Sequence, residues 1–333
     1  MTTALFLTSD ELTDLAEPHD YVDVVREGYR EHGAGEASAQ PRTKLQNSDP
    51  PGMLTGYTAI LPETGAMGGY TYSAGFGERD AWFVTPLFDS ESGEPLAVLD
   101  GAYLNPFKTG AVGAVGVDAL AREDASTVGL IGSGAQARGQ LRAVAEVRDL
   151  DSVRVYSTTR ENRAGFASEM NELLNCEVNA VKSSEEAVSD ADIVVTATNS
   201  PEPVFDGDLL APGTHVTAMG QYDTKKHELD STTVSRAKYV LDLRERVSLD
   251  AGSLMAAFDE GAIDGDHLHG QLGEVLAGVV PGRESSDEIT VFDSGGTGIE
   301  TVAAAHMLYE RAHEAGRGIE IEFASASDAM PGR

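Results

Sequence analysis

The sequence is poor in basic residues, in cysteine and in long apolar runs, and each shortage excludes something. Lys and Arg together number 24 against 55 Asp and Glu, a net charge of −31 at pH 7. Such a chain repels phosphate backbones and anionic headgroups, so neither nucleic acid nor a membrane is an expected partner. The acids are scattered, as in Ser90-Glu91-Ser92-Gly93-Glu94 and Ser183-Ser184-Glu185-Glu186, rather than gathered into a tail. That pattern suits a solvated surface in the salt-rich cytoplasm of a halophile, where screening removes the self-repulsion. The single cysteine, Cys176, cannot form an internal disulfide, and a reducing cytoplasm is expected. It has no basic neighbour to lower its pKa and is not read as a nucleophile. No apolar run approaches the ~18 residues of a membrane span. Residues 1–10 lack a basic stretch followed by an apolar one, so export is not expected.

What is present is an α/β pattern. The 333 residues, 41% hydrophobic with 36 glycines, have room for two domains. The middle of the chain alternates strand and helix, which predicts a parallel sheet with crossover helices. Seven stretches read as strand, 128–131, 152–156, 178–181, 192–198, 215–219, 239–241 and 289–292, and are expected to build a sheet of about six strands. Helices are expected at 135–147, 161–174 and 184–189. The first ~110 residues differ in texture, with a helix at 18–32 and strands broken by Gly and Pro, such as 68–73 and 82–88. A long amphipathic helix at 298–315 and a strand at 319–323 close the chain, and that strand is expected to return to the first domain. The expected architecture is therefore a Rossmann dinucleotide-binding domain (113–299) plus a discontinuous α+β domain (1–112 and 300–333).

The residues Val128-Gly129-Leu130-Ile131-Gly132-Ser133-Gly134-Ala135-Gln136-Ala137 form a strand followed by G-x-G-x-x-A. Gly132 permits the tight turn, Gly134 lets backbone approach a pyrophosphate, and Ala137 keeps the helix close to the strand. The pyrophosphate would face the unpaired N–H groups of the helix N-terminus, including those of Ser133, Ala135 and Gln136. An NAD site usually ends its second strand in Asp or Glu. This one ends in Ser157-Thr158-Thr159-Arg160, whose hydroxyls and guanidinium suit a 2′-phosphate, so NADP(H) is favoured over NAD(H).

With the further segments Pro41-Arg42, Thr85, 96–101, 191–198, 213–216 and Phe292-Asp293-Ser294, in this order, the chain resembles the ornithine cyclodeaminase/mu-crystallin family over nearly its whole length. The resemblance implies a homodimer whose discontinuous domain holds the substrate and the dimer contact, with the nicotinamide between the domains. It implies an amino acid or imino acid substrate, and cofactor contacts from Thr85, Thr198, Ala218, Met219, Gly220 and Ser294. Arg42 matches the family's carboxylate-binding residue, and a guanidinium fork suits that task. Lys108 stands where the family commonly has arginine, Tyr70 where it has an active-site lysine, and Tyr222 where cyclodeaminases have an aspartate. Asp223 is one residue from that last place.

Cyclodeamination needs an acid and a base for cyclisation and ammonia loss, and the missing aspartate argues against it. Hydride transfer at a C=N carbon needs only a carboxylate clamp, a positioned nicotinamide and one proton donor. The expected function is thus an NAD(P)-dependent amino acid dehydrogenase or imine reductase, a ketimine reductase or an alanine-dehydrogenase-like enzyme. Arg42 and Lys108 would clamp the carboxylate, and Tyr70 or Lys44 would supply the proton. An ornithine-cyclodeaminase-type ammonia-lyase and a non-catalytic NADP(H)-binding protein are the alternatives. No metal is expected: Asp264-Gly265-Asp266-His267-Leu268-His269 is read as a solvated helix start. The Ser294-Gly295-Gly296-Thr297-Gly298 loop lacks the lysine of a Walker motif.

Overall fold

The structure, a computed structural model, describes residues 2–76, 81–220 and 223–329. Its contacts divide the chain into two compact units, Met1–Lys108 with Thr297–Arg333 and Thr109–Gly296.

The first unit begins with β1 (Thr2–Leu7), α1 (Ser9–Leu12) and α2 (Pro18–Gly33). Pro18 sits in the first turn of α2, where its missing N–H is not needed, and Glu17 and Asp20 form a reciprocal cap. Tyr21, Val22, Val25 and Tyr29 recur at helical spacing, and all are buried. There follow β2 (Ser38–Ala39), β3 (Thr43–Ser48), β4 (Pro51–Leu61), β5 (Ala66–Ala74), β6 (Trp82–Asp89) and β7 (Pro95–Asp100). From β3 to β7 each strand pairs antiparallel with the next. Along β4, Thr55, Tyr57, Ala59 and Leu61 are buried while Leu54, Thr58 and Ile60 are exposed, the period of two expected of a sheet with one covered face. That alternation turns Tyr57 inward, opposite its register partner Tyr70 on β5.

Next comes α3 (Gly101–Leu120), across a stretch whose Pro106, Gly110, Gly113 and Gly116 read as helix-breaking by propensity. Packing explains it. A Cβ on Gly110 would lie 2.2 Å from the carbonyl oxygen of Gly139, and one on Gly113 would lie 1.9 Å from the Gln140 side chain. Gln140 also donates from Nε2 to the Thr109 carbonyl at 2.6 Å. The glycines buy close approach of two helices, which outweighs their weak helix preference.

The second unit continues with β8 (Thr127–Ile131), α4 (Ala135–Val147), β9 (Ser152–Tyr156), α5 (Arg160–Leu173), β10 (Glu177–Ala180), α6 (Ser184–Val188) and β11 (Ile193–Thr196). Then come β12 (His215–Ala218), α7 (Ser231–Arg236), β13 (Ala237–Leu241), α8 (Gly252–Asp259), β14 (Leu268–Gln271), α9 (Leu272–Leu276) and β15 (Ile289–Asp293). These strands form one parallel sheet in the order β10-β9-β8-β11-β12-β15-β13-β14. This is a Rossmann-type sheet, and its order reverses between β8 and β11, the place where such sheets bind ligands at their strand C-termini. It has eight strands rather than about six, since all seven expected stretches are in it together with β14, which begins in the segment read as a solvated helix start. There His267 Nε2 lies 2.7 Å from the Val234 carbonyl and His269 Nε2 2.8 Å from that of Pro281. Those contacts hold the segment at the sheet edge, although its four residues show little apolar alternation.

The chain closes with α10 (Gly298–Glu314) and β16 (Ile319–Phe323). Helix α10 packs on α2, β4 and β5, and β16 pairs antiparallel with β1. The first unit's sheet thus runs β16-β1-β7-β6-β5-β4-β2, with β3 also paired to β4. Among the described residues no helix is long and apolar enough to cross a membrane.

Candidate active site

The second unit carries a glycine turn of the kind that cradles a dinucleotide. Gly132 has φ +123, and a Cβ there would sit 2.3 Å from the Ala197 carbonyl oxygen, so only glycine fits. Its N–H donates to the Tyr156 carbonyl at 2.8 Å, which ties the ends of β8 and β9 together. Gly134 caps α4 from an extended conformation, and a Cβ added there would meet nothing within 4 Å. The first N–H groups of α4 have no partner within their own helix. Open space over a helix N-terminus at the sheet's switch point fits a pyrophosphate. Ser133 Oγ donates to Ser157 Oγ at 2.9 Å, which joins the turn to the end of β9. Ser157, Thr158 and Thr159 lead to Arg160, the first residue of α5, and from Thr158 to Arg160 they are exposed. Arg163 donates to the Ser157 carbonyl at 2.7 Å and lies over the Tyr156 ring. Two guanidiniums and three hydroxyls therefore belong to this strand end, and none of residues 157–160 is acidic.

Buried carboxylates shape the other strand ends of this unit. Glu228 accepts from Thr196 Oγ1 (3.0 Å), Thr198 N (2.8 Å) and Gly220 N (2.9 Å), joining the ends of β11 and β12. Burial pushes its pKa up, against the pull of those hydrogen bonds. Met219 N donates to the Thr196 carbonyl, and Ser294 N to that of Ala218. Ser294 Oγ, Gly295 N and Gly296 N all donate to Asp242 Oδ2, at 2.8, 2.9 and 3.1 Å. Asp242 Oδ1 in turn takes a 2.6 Å bond from Arg246, whose Nε holds Asp250 at 2.6 Å. Asp293 completes the group, 3.6 Å from Arg246 Nη2 and accepting from Tyr239 Oη at 2.5 Å. Burial raises Asp293 to about 6 in spite of the Arg246 charge.

The first unit holds a different cluster. Lys108 is fully buried, and its Nζ donates to Tyr57 Oη at 3.0 Å and to Glu300 Oε1 at 3.1 Å. Burial alone would lower the Lys108 pKa; Glu300 and Tyr57 reverse that and hold it above the usual lysine value. Glu300 also accepts from Tyr29 Oη (2.9 Å), Thr297 N (2.6 Å) and Thr297 Oγ1. The guanidinium of Arg42 meets the Tyr72 hydroxyl and lies 5.1 Å from the Tyr57 ring centre. Tyr57, Tyr70, Tyr72 and Phe83 form one aromatic group around these two cations. Two cations thus share one aromatic group in a chain of net charge −31.

The structure brings Arg42, Tyr70 and Lys108 into this cluster. Tyr70 is poorly placed to give up a proton: its hydroxyl donates to the Gly101 carbonyl at 3.0 Å, and burial drives its pKa well above the ordinary phenol value. Lys44 is exposed on β3, opposite Thr55. Thr85 is buried in β6, and its hydroxyl has no hydrogen-bond partner among the described residues. Tyr222 lies outside the described residues. Gly132 to Gln136, Ser157 to Arg160, Thr198, Ala218 to Gly220 and Ser294 all lie at or just after strand C-termini of the second unit. Sequence reasoning missed Tyr57, Glu300, Glu228 and the Arg246 group. Only Glu300 had a local signal, the capping box Thr297-Gly298-Ile299-Glu300.

The Rossmann sheet, its glycine turn and the cation–aromatic cluster define a class, the NAD(P)-dependent oxidoreductases. The ornithine cyclodeaminase/mu-crystallin family model matches residues 3–316, and the chain belongs to that family. A Δ1-pyrroline-2-carboxylate reductase of Bacillus cereus is 39% identical over 241 residues, covering 72% of this chain and 74% of its own. The structure of Thermococcus litoralis Δ1-pyrroline-2-carboxylate reductase, in complex with NADH and L-proline, is 34% identical with a TM-score of 0.90 over 95% of this chain and 99% of that one. An archaeal alanine dehydrogenase, solved as a dimer with bound NAD, is 32% identical with a TM-score of 0.90 over 97% and 100% of the two chains. These relatives are oxidoreductases of amino acids and imines, and the chain is an NAD(P)-dependent enzyme of that CH–NH class.

Proposed function

We propose that this enzyme reduces a cyclic ketimine bearing a carboxylate, of the Δ1-pyrroline-2-carboxylate type, to the corresponding amino acid. The observation that carries this reading is the pair of cations, Arg42 and Lys108, set against the faces of Tyr57 and its aromatic neighbours. Arg42 and the third N–H of Lys108 hold the carboxylate, and the rings bound the apolar part of the substrate. The glycine turn holds the dinucleotide, with Thr198, Ala218 to Gly220 and Ser294 bordering its nicotinamide end. The bound nicotinamide supplies the hydride. The first unit is then the substrate-binding domain and the second the cofactor-binding domain.

The finer choice of cofactor is NADP(H). Arg160, Arg163 and the hydroxyls after β9 favour a 2′-phosphate, although the two solved relatives carry NADH and NAD. Replacing Arg160 with Ala is expected to raise the KM for NADPH by about tenfold, the value of one charge-assisted hydrogen bond, and to leave the KM for NADH unchanged. A wild-type enzyme with equal kcat/KM for both cofactors would refute the preference. The substrate test is an assay of cyclic ketimines with NADPH and of L-ornithine with NADP⁺, run at molar salt. Reduction of the ketimine supports the proposal. Proline formed from L-ornithine without net change in cofactor overturns it in favour of cyclodeamination.

A homodimer through the outer face of the first unit's sheet is part of the same reading. Leu45, Leu54 and Trp82 are exposed, the first and last by 72% and 64%, and lie in one cross-strand row through Ser73. The alanine dehydrogenase relative is a dimer, and an apolar row of this kind is what a second copy would cover. Trp82→Glu is expected to shift the molar mass measured by light scattering from dimer to monomer.

A further inference from the structure

We propose that Tyr57 is the residue that gives its proton to the substrate nitrogen, with Lys108 and Glu300 behind it as the pair that restores that proton. This rests on the imine reduction proposed above. The case begins with hydrogen-bond direction. A charged ammonium only donates, so in the 3.0 Å contact between Lys108 Nζ and Tyr57 Oη the phenol oxygen is the acceptor. The O–H of Tyr57 must therefore point elsewhere, and among the described residues it has no acceptor. The neighbouring Tyr70 is the opposite case, since its proton is committed to the Gly101 carbonyl. Of the three phenols in the aromatic group, Tyr70 has a spent proton and Tyr57 has one to offer, while the third, Tyr72, accepts from Arg42.

Charge favours the same residue. Lys108 Nζ and Arg42 Cζ lie 5.3 and 5.1 Å from the Tyr57 ring centre, so both would stabilise a phenolate there. Glu300 accepts from Lys108, Tyr29 and Thr297, and its place beside Nζ helps hold Lys108 above the usual lysine value. The step balances as follows. The imine carbon receives the hydride supplied by the reduced cofactor, and the π pair of the C=N bond moves to nitrogen. That nitrogen takes the Tyr57 proton, leaving a phenolate. Lys108 reprotonates the phenolate, and the pair regains its proton from water that enters the site when the product leaves. In amino acid oxidation each transfer runs backwards.

The test compares Tyr57→Phe with Tyr70→Phe, using the wild-type enzyme, a cyclic ketimine and NADPH. Removal of a positioned acid is expected to lower kcat in Tyr57→Phe by about 10²–10⁴-fold. The KM for the ketimine, the NADPH Kd from cofactor fluorescence and the thermal melt should stay near wild type. Tyr70→Phe keeps the ring that bounds the substrate and gives up only the hydroxyl bond to Gly101, so its loss of kcat should be at least about tenfold smaller than that of Tyr57→Phe. Should Tyr57→Phe lose its melt, Glu300→Gln takes its place, with kcat reduced and NADPH Kd unchanged. A Tyr57→Phe enzyme with wild-type kcat overturns the proposal, as does loss of kcat in Tyr70→Phe alone. A raised NADPH Kd in Tyr57→Phe would mean a structural role and also overturns it. A wild-type enzyme that binds NADPH but reduces no imine overturns the function reading itself, a separate outcome.

Discussion

Among the described residues each unit has one fully buried cation, and the two are finished differently. Arg246 in the second unit is surrounded by Asp242, Asp250 and Asp293, and Asp242 is itself filled by three further donors. Lys108 in the first unit has one carboxylate and one phenol. Arg246, its charge opposed by three carboxylates, is a clamp on the loops after β13 and β15, and the one nitrogen it leaves without a hydrogen bond, Nη2, is buried 3.6 Å from Asp293. Lys108, opposed by a single carboxylate, keeps charge with which to bind a substrate anion or pass on a proton. The partners, more than the depth of burial, separate the structural ion group from the chemical one.

The sharpest way to break that comparison is to remove each cation. Arg246→Met leaves three carboxylates without their cation, and a loss of about 3–5 kcal/mol in denaturant melts is expected. The double replacement Lys108→Met with Glu300→Gln removes charge from both partners and should melt within about 1 kcal/mol of wild type, yet turn over no imine. If the double variant is active, Lys108 belongs with Arg246 as structure.

A smaller effect follows from Asp293, which burial raises to about 6 from an ordinary 3.8. A folded-state pKa above the unfolded one means a stabilising contribution present below about 4 and lost as pH rises through about 6. The size is on the order of 1–3 kcal/mol. Asp293→Asn should flatten stability between pH 4 and pH 7 in thermal melts, and an unchanged slope would show that Arg246 already neutralises the group.

The smallest concerns the rim of the first unit, where Arg311 donates to both oxygens of Asp20 at 2.7 Å. That hydrogen bonding lowers Asp20 to about 2. The contribution is present above the unfolded value near 4 and fades as pH falls through about 2. Because Arg311 is 37% exposed, solvent screening limits it to about 1 kcal/mol at most. Asp20→Asn should therefore cost little at pH 7, and the difference from wild type should vanish by pH 2 in acid unfolding curves.

How far each region could be foreseen follows the range of the interactions that make it. The glycine turn was legible because its requirements are local: a strand, a glycine at positive φ and a small residue within ten positions. Strand β11 and helices α4 and α5 were legible because burial and periodicity are written into short windows. Helix α3 was not. Its glycines oppose helix formation locally and are justified only by Gly139 and Gln140, some 27 to 29 residues on. Strand β14 was missed for the same reason, since carbonyls of Val234 and Pro281 hold it in place.

Short-range pattern was therefore enough for the Rossmann class, the position of the cofactor cradle and the acidic, weakly basic character of the whole chain. The family resemblance singled out Arg42 and Lys108, and the fold sets both against the ring of Tyr57. Only the folded chain decided which tyrosine has a proton to give. Tyr57 and Tyr70 look alike in sequence, both in alternating strands and both turned inward. They differ because Lys108, 51 residues on in the sequence and held by Glu300 a further 192 away, donates to one phenol, while a backbone carbonyl takes the proton of the other. Hydrogen-bond direction depends on which atoms the fold brings together, and no local window contains that information.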